Sequence, residues 1–320
     1  MRTPRTVLAL LLLGLAPGVQ AQAYPTRLVT LITGFTAGGG VDLIARSYAG
    51  ELAKALGQQV IVENRPGAGG TVGADVVAKA KPDGYTLLVG GPGNNAIAYS
   101  VYPKLPYEPK SFAPVSLLSQ NPNVIAVHPS VPAETIADLV KLAKAKPASV
   151  RYGTPGNGSG QHLAAELFKM TMGIDLQHVP YRGVPESNNA LITGEIEMAL
   201  PPVFQAAALV KSGKIRALAV TSPQRSPVMP GVPSMQEAGV TDFDQTVWNA
   251  LFAPAGTPPA VINRLNEAVR QAIQSRELVS RLEALGAQPA ASTPTELGDR
   301  VQKEIERWGR VVKATGAKPD

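Results

Sequence analysis

A chain of 320 residues with a net charge of +6 and no cysteine has no disulfides, thiolate metal sites or thiol nucleophile, so its own core must hold it together. Its Lys and Arg residues are spread along the chain and form no run, which excludes nucleic acid as the expected partner and leaves a mild positive field suited to small anions. At about 100–200 residues per domain, the length predicts two lobes.

The N-terminus reads as an export signal. Arg2 and Arg5 make a basic start, residues 7–15 an apolar run broken only at Gly14, and Pro17-Gly18 ends it. Val19-x-Ala21 and Ala21-x-Ala23 both fit a signal-peptidase site. The run is roughly half of the about 20 residues that a membrane span needs. Residues 1–23 are therefore expected to be removed on export, with no cysteine for a lipid anchor, leaving a periplasmic protein.

Beyond the leader, short β-rich runs alternate with amphipathic helical runs, the pattern of an α/β protein with a largely parallel sheet. Residues 28–35 predict a buried strand, Ala37-Gly38-Gly39-Gly40 a turn, and residues 41–56 a helix with one apolar face and Gly57 as its left-handed C-cap. A strand is expected at 59–63, then a glycine-rich turn at 65–70, a helix from Thr71 as its cap to about Ala80, and a strand at 85–89. Between Pro103 and Pro114 proline is too dense for regular structure. A strand at 124–127, a helix at 132–145 and a strand at 150–153 follow. A second glycine-rich turn, 154–160, then feeds a helix at 161–172. Further strands are expected at 176–179, 198–200 and 216–221, and after Pro223 a proline-rich stretch precedes two helices, 259–276 and 294–315.

Two segments share one design: strand, glycine-rich turn, helix start, at 35–42 and at 154–162. The free N–H groups and partial positive charge of a helix's first turn make such a junction an anion site, and glycine lets a ligand approach the backbone. Thr154 and Ser159 add hydroxyls. Carboxylate fits better than phosphate, because neither loop carries the lysine of a G-x-x-x-x-G-K-[ST] motif. Gly91-Pro92-Gly93-Asn94-Asn95-Ala96 imitates a dinucleotide fingerprint, but Pro92 has no N–H and no acidic residue stands at the ribose spacing. With three histidines, no G-x-S-x-G elbow and no H-E-x-x-H, the chain offers no hydrolase inventory, and no catalytic residue, metal or cofactor is expected.

These residues carry a resemblance. TGFTAGGGVDLIAR at 33–46, VENRPGAGG at 62–70, PDGYTLL at 82–88, LPY at 105–107, GNGSGQHL at 156–163, HVPYRG at 178–183, LAVTS at 218–222 and APAGTP at 253–258 occur in the order of the tripartite tricarboxylate transporter receptor family, the Bug proteins, which the chain resembles over its whole mature length. The resemblance implies a periplasmic binding protein fold of type II, a Venus flytrap of two α/β lobes with a ligand cleft between them. The two chain crossings fall near 119–123 and 222–232, giving one lobe of residues 24–121 plus 228–320 and another of 122–227. It implies that Phe35, Ala37, Gly38, Gly39 and Asp42 form one jaw on a ligand carboxylate and that Thr154, Gly156, Asn157, Gly158 and Ser159 form the other. Asp42 has an equal claim to a structural role as a helix N-terminal acid. Asn95, Tyr181, Arg182 and Trp248 are candidates for reading the far end of the ligand, with a place in the core as the alternative for Trp248.

Three positions depart from the family pattern: Gly40-Val41-Asp42 is less polar than the usual triplet, Thr154-Pro155 loses a backbone donor, and Glu197 replaces an aspartate. The expected function is capture of a di- or tricarboxylate, acidic amino acid or aromatic acid by a monomeric receptor without catalysis, and delivery to integral membrane transporter subunits. A receptor serving a signalling partner, or a periplasmic enzyme on the same fold, is the alternative.

Overall fold

The structure is a computed structural model that describes residues 24–156, 159–241 and 243–316, so the expected leader, Asn157 and Gly158 lie outside the described residues. In chain order it runs β1 (Val29–Thr33), α1 (Gly40–Leu56), β2 (Val60–Asn64), α2 (Thr71–Ala78), β3 (Thr86–Gly90), a π-helical turn Gly93–Ile97 leading into α3 (Ala98–Val101), and β4 (Phe112–Pro122). Next come β5 (Val124–Val127), α4 (Ile136–Ala145), β6 (Arg151–Thr154), α5 (Gly160–Met172), β7 (Gln177–Pro180), α6 (Val184–Thr193), β8 (Met198–Ala199), α7 (Val203–Lys211) and β9 (Arg216–Val220). The chain ends with β10 (Thr246–Pro254), α8 (Pro259–Ala272), α9 (Arg276–Ala284), β11 (Gln288–Pro289) and α10 (Pro294–Thr315).

Two sheets result, in strand orders β11-β4-β10-β3-β1-β2 and β7-β6-β8-β5-β9. Successive residues of a strand face opposite ways, and here both faces are covered. Leu31, Leu87, Val89 and Leu251 pack under α1, α8 and α9, while their neighbours Ile32, Leu88, Ala250 and Phe252 pack under α2 and Leu297 of α10. In the second sheet Ile125 and Val127 meet α4 and α5, and Val124 and Ala126 meet α6 and α7. Among the described residues, no helix is long and apolar enough to cross a membrane.

The expected α/β class holds, but the sheets are mixed where the pattern predicts a largely parallel one. β1 is parallel to β2 and β3, and β6 to β7 and β8, whereas β10 runs antiparallel to β3 and β4, and β5 antiparallel to β8 and β9. Thr246–Pro254, for which the pattern predicts no element, is the central strand β10. Its apolar run is buried on both faces and carries no alternation to distinguish strand from helix. The proline-dense stretch before Pro114 ends in β4, an 11-residue strand. Two helix starts also differ. Thr135, not Pro132, opens α4 with a capping box, and Thr71 lies inside α2 after a left-handed Gly70.

The chain crosses between sheets at two neighbouring points. The first lies at Pro122-Asn123, between β4 and β5. The second lies later than 222–232. Met229, Met235, Val240 and Phe243 fill the core of the second sheet, and Ser234 bridges Val220, so the chain leaves that sheet only at 244–245. Proline marks this stretch as irregular, but its apolar side chains tie it to the second core.

Both crossings are knotted together. The Asn123 amide N–H donates to Thr221 Oγ1 at 2.9 Å, that hydroxyl donates to the Gln245 carbonyl at 2.7 Å, and Asn123 Nδ2 donates to Gln245 Oε1 at 3.0 Å. Backbone bonds from Thr221 N to Asn123 O and from Gln245 N to Thr221 O complete it. All three residues are buried. Thr221→Val keeps the shape and leaves one buried donor and one buried acceptor unpaired, so it should cost about 1–3 kcal/mol for each, read from urea unfolding.

Close backbone packing sets the first glycine loop. A Cβ on Gly34 would lie 2.4 Å from the Gly70 carbonyl oxygen, whereas one on Gly50, mid-helix in α1, meets nothing within 4 Å. Gly34→Ala should therefore destabilise by roughly 1–3 kcal/mol through overpacking, and Gly50→Ala should stabilise by about 0.5–1 kcal/mol, in the same unfolding assay.

Candidate functional site

The C-terminal ends of β1, β2 and β3 point to one edge of the first sheet, where an open α/β sheet binds ligands. The loop after β1 is held from beneath. Gly38 takes a left-handed φ of 79°, and its N–H donates to Asp42 Oδ2 at 2.8 Å. Asp42 also accepts from Arg46 Nε at 2.9 Å and Asn64 Nδ2 at 2.8 Å. Asn64 Nδ2 reaches the Phe35 carbonyl as well, at 3.0 Å. The Asp42 side chain is 1% exposed. Burial alone would raise its pKa, but hydrogen bonds from Arg46, Gly38 and Asn64 outweigh it and hold the carboxyl below the usual carboxylate range. Asp42 thus builds the loop, and it does not line the cavity described below. The N-cap of α1, Gly39, offers no side-chain cap, which leaves the first-turn N–H groups without a side-chain partner.

The second junction follows β6. Thr154 is fully buried and pairs with His178 Nε2 at 2.6 Å, and Gly156 takes a φ of 118°. His178 stacks between His162 and Tyr152, at 4.2 and 4.9 Å between ring centroids. Ser159 caps α5: its Oγ accepts from His162 N at 3.2 Å and donates to the Gly156 carbonyl at 2.8 Å. The two junctions are therefore built differently, one capped by a hydroxyl and one bare.

A cavity of about 560 Å³ lies between them. Phe35 and Val41 line it from the first junction, and Ser159, Gly160 and Gln161 from the second. Ala68 and Gly69, Gly91 to Gly93, Ile97, Ala98, Val101 and Tyr102 come from the loops after β2 and β3. Gln245, Val247, Trp248 and Asn249 come from the second crossing, and Trp308 from α10. Of the residues singled out in the sequence, Phe35, Ser159 and Trp248 reach the cavity. Ala37, Gly38 and Gly39 shape the loop beside it, and Thr154 and Gly156 support the second turn.

Asn95 sits elsewhere, buried and facing a separate 320 Å³ cavity between α10 and the first sheet, with its Oδ1 unpartnered. Tyr181 donates to Glu195 at 2.9 Å, its phenol pushed up to about 12 by burial and then by that carboxylate. Neither it nor the exposed Arg182 lines the cavity. Of the three departures, only Val41 lines it. Glu197 pairs with Arg151 at 2.7 Å across the second sheet, and Pro155 lines a small pocket on another side.

In the loop after β3 the sequence points to Asn95, whereas Gly91, Pro92 and Gly93, whose dinucleotide-like pattern lacks a pyrophosphate geometry, are the residues that line the cavity. The loop's signal is the same strand, glycine turn and helix that marks the other two loops. Trp308 gives no such signal, because only the fold brings α10 to the cleft. Among the described residues no group of three potential metal ligands occurs.

Asp42 has a pH signature. Its depressed native pKa means that its contribution is present above the unfolded-state pKa and is lost as pH falls through the native one. Asp42→Asn should therefore lower stability by about 1–3 kcal/mol at neutral pH. The gap from wild type should narrow in melting curves as pH falls below the unfolded-state value of 3.8, and close once pH passes the lowered native value.

The family model described as tripartite tricarboxylate transporter family receptor matches residues 44–317. The protein BugT of Bordetella pertussis is 37% identical over 311 residues, covering 95% of this chain and 94% of that protein. An R. palustris protein solved with adipate superposes with a TM-score of 0.78 at 36% identity, covering 93% of this chain and all of that one. MatC from Rhodopseudomonas palustris, solved with bound malate, gives a TM-score of 0.74 at 34% identity, covering 90% of this chain and all of that one. The fold superposes on these solved structures over most of its length, and the chain belongs to the tripartite tricarboxylate transporter receptor family.

Proposed function

We propose that this protein is an exported, monomeric solute receptor that closes on a small carboxylate, does no chemistry on it and presents it to the membrane subunits of a tripartite tricarboxylate-type transporter. One observation carries the reading. Two glycine-rich helix starts, from different sheets, line a single cavity. Each offers backbone N–H groups and a partial positive charge to an anion, and a ligand touching both favours the closed arrangement through contacts to each lobe. The adipate and malate held by the two solved relatives agree with a carboxylate. The packing supports lobes of residues 24–121 with 246–316 and of residues 122–243, and the basic, apolar and small-residue leader supports removal of residues 1–23 on the way to the periplasm.

The receptor reading is tested by calorimetric titration of the mature protein with mono-, di- and tricarboxylates, with NMR to follow each compound over hours. Tight binding of a carboxylate and no turnover is the expected result. Product formation would replace the receptor with an enzyme.

Gly160 gives a cleaner test of the helix-start contact. A Cβ there meets nothing within 4 Å, and an acid in the first turn of α5 suits the helix dipole. Gly160→Asp should therefore fold with undiminished melting temperature yet bind carboxylate at least roughly 100-fold more weakly, because it sets like charge against the ligand. Gly160→Ala should bind within about threefold of wild type. Wild-type affinity in Gly160→Asp would remove α5 from the carboxylate site.

A further inference from the structure

The chain has two tryptophans, and both line the same cavity, Trp248 from β10 and Trp308 from α10, with Phe35 and Tyr102 beside them. Among the described lining residues there is no Lys, Arg, His, Asp or Glu. Val41, Ile97, Val101 and Val247 add apolar wall. Most of the polar lining is already engaged. Ser159 caps α5, Gln245 is bonded to Asn123 at 3.0 Å, and Asn249 donates to Ser119 at 3.1 Å.

The aromatic wall is also held rigidly. Trp308 is 1% exposed, and its indole N–H donates to Glu304, a buried carboxylate that Arg307 holds in turn. Trp248 is fully buried on β10, and its indole Nε1 has no hydrogen-bond partner. A rigid ring loses little freedom when a flat ligand packs against it.

The charge balance then decides the ligand class. A single carboxylate is matched by the helix starts. A second or third one would have to sit against walls with no countercharge, and a desolvated, unpaired carboxylate costs more than one hydrogen bond returns. We infer that this cavity takes an aromatic monocarboxylate, with one carboxylate at the glycine-rich helix starts and a flat apolar body against Phe35, Tyr102, Trp248 and Trp308. The inference rests on the carboxylate-receptor reading and narrows it, away from the di- and tricarboxylates that the family name suggests. The volume, about 560 Å³, leaves room for a substituted or fused ring.

The test titrates the mature protein calorimetrically with benzoate, 2-naphthoate, adipate, malate, citrate and the uncharged isostere benzamide. Tryptophan emission serves as a second readout, because both emitters line the cavity. Benzoate or 2-naphthoate should bind at least about 10-fold more tightly than any of the three polycarboxylates, and benzamide at least about 10-fold more weakly than benzoate. Phe35→Ala, at a half-exposed position, should weaken the aromatic acids roughly 10-fold while the fold survives. Tighter binding of adipate, malate or citrate would overturn the aromatic assignment and leave the carboxylate receptor standing. Benzamide binding as well as benzoate would instead remove carboxylate recognition itself. Binding by none of these probes would overturn both.

Discussion

The structure depends on the knot of Asn123, Thr221 and Gln245. Two chain crossings pass from sheet to sheet here, and a buried crossing carries backbone groups that water cannot reach. The Thr221 hydroxyl satisfies both strands at once, accepting from Asn123 N and donating to the Gln245 carbonyl, and the Asn123 and Gln245 side chains pair beside it. Because Gln245 also lines the cavity, the joint between the sheets forms part of the cavity wall. The cavity is thus lined from both sheets and from the joint between them.

Around this joint the two glycine-rich turns are built by opposite means. The first is drawn in by a buried carboxylate: Asp42 gathers the Gly38 N–H, Arg46 and Asn64, and Asn64 in turn fixes the Phe35 carbonyl. Its charge is spent on the loop, so the helix start above it remains a donor surface. The second uses a hydroxyl cap, Ser159, over the stacked rings of His162, His178 and Tyr152. Both arrangements stiffen a loop before a ligand arrives, and pre-organisation of that kind reduces the ordering cost of binding.

Helix α10 links the lobes on a second side. Its later turns pack Trp308, Val311 and Val312 against Ala96, Ile97 and Val101 of the first lobe and Leu163 of the second. Trp308 therefore serves two surfaces, an inter-lobe contact and a cavity wall. Any motion of the lobes has to repack this side chain, which couples the shape of the aromatic wall to the degree of closure.

Much of this was legible in the residues. The 3.6-residue pattern and Gly57 located α1, the strand-glycine-helix repeats located the two turns beside the cavity, and the ordered motifs located the family, because each of these is a local property of the chain. The leader and the absence of cysteine set the expectation of an exported protein held by its core alone. Other features needed the fold. β10 is buried on both faces, so its sequence shows no period. Asp42 looks the same in sequence whether it faces a ligand or a loop, and only the positions of Gly38, Arg46 and Asn64 decide between them. The proline-rich segment after Thr221 reads as a linker until Met235, Val240 and Phe243 are seen in the second core. The chemistry of the cavity is the clearest case. Phe35, Tyr102, Trp248 and Trp308 are scattered over more than two hundred residues, and only tertiary packing brings them to one wall, since a binding surface between lobes is a property of distances that no local pattern encodes.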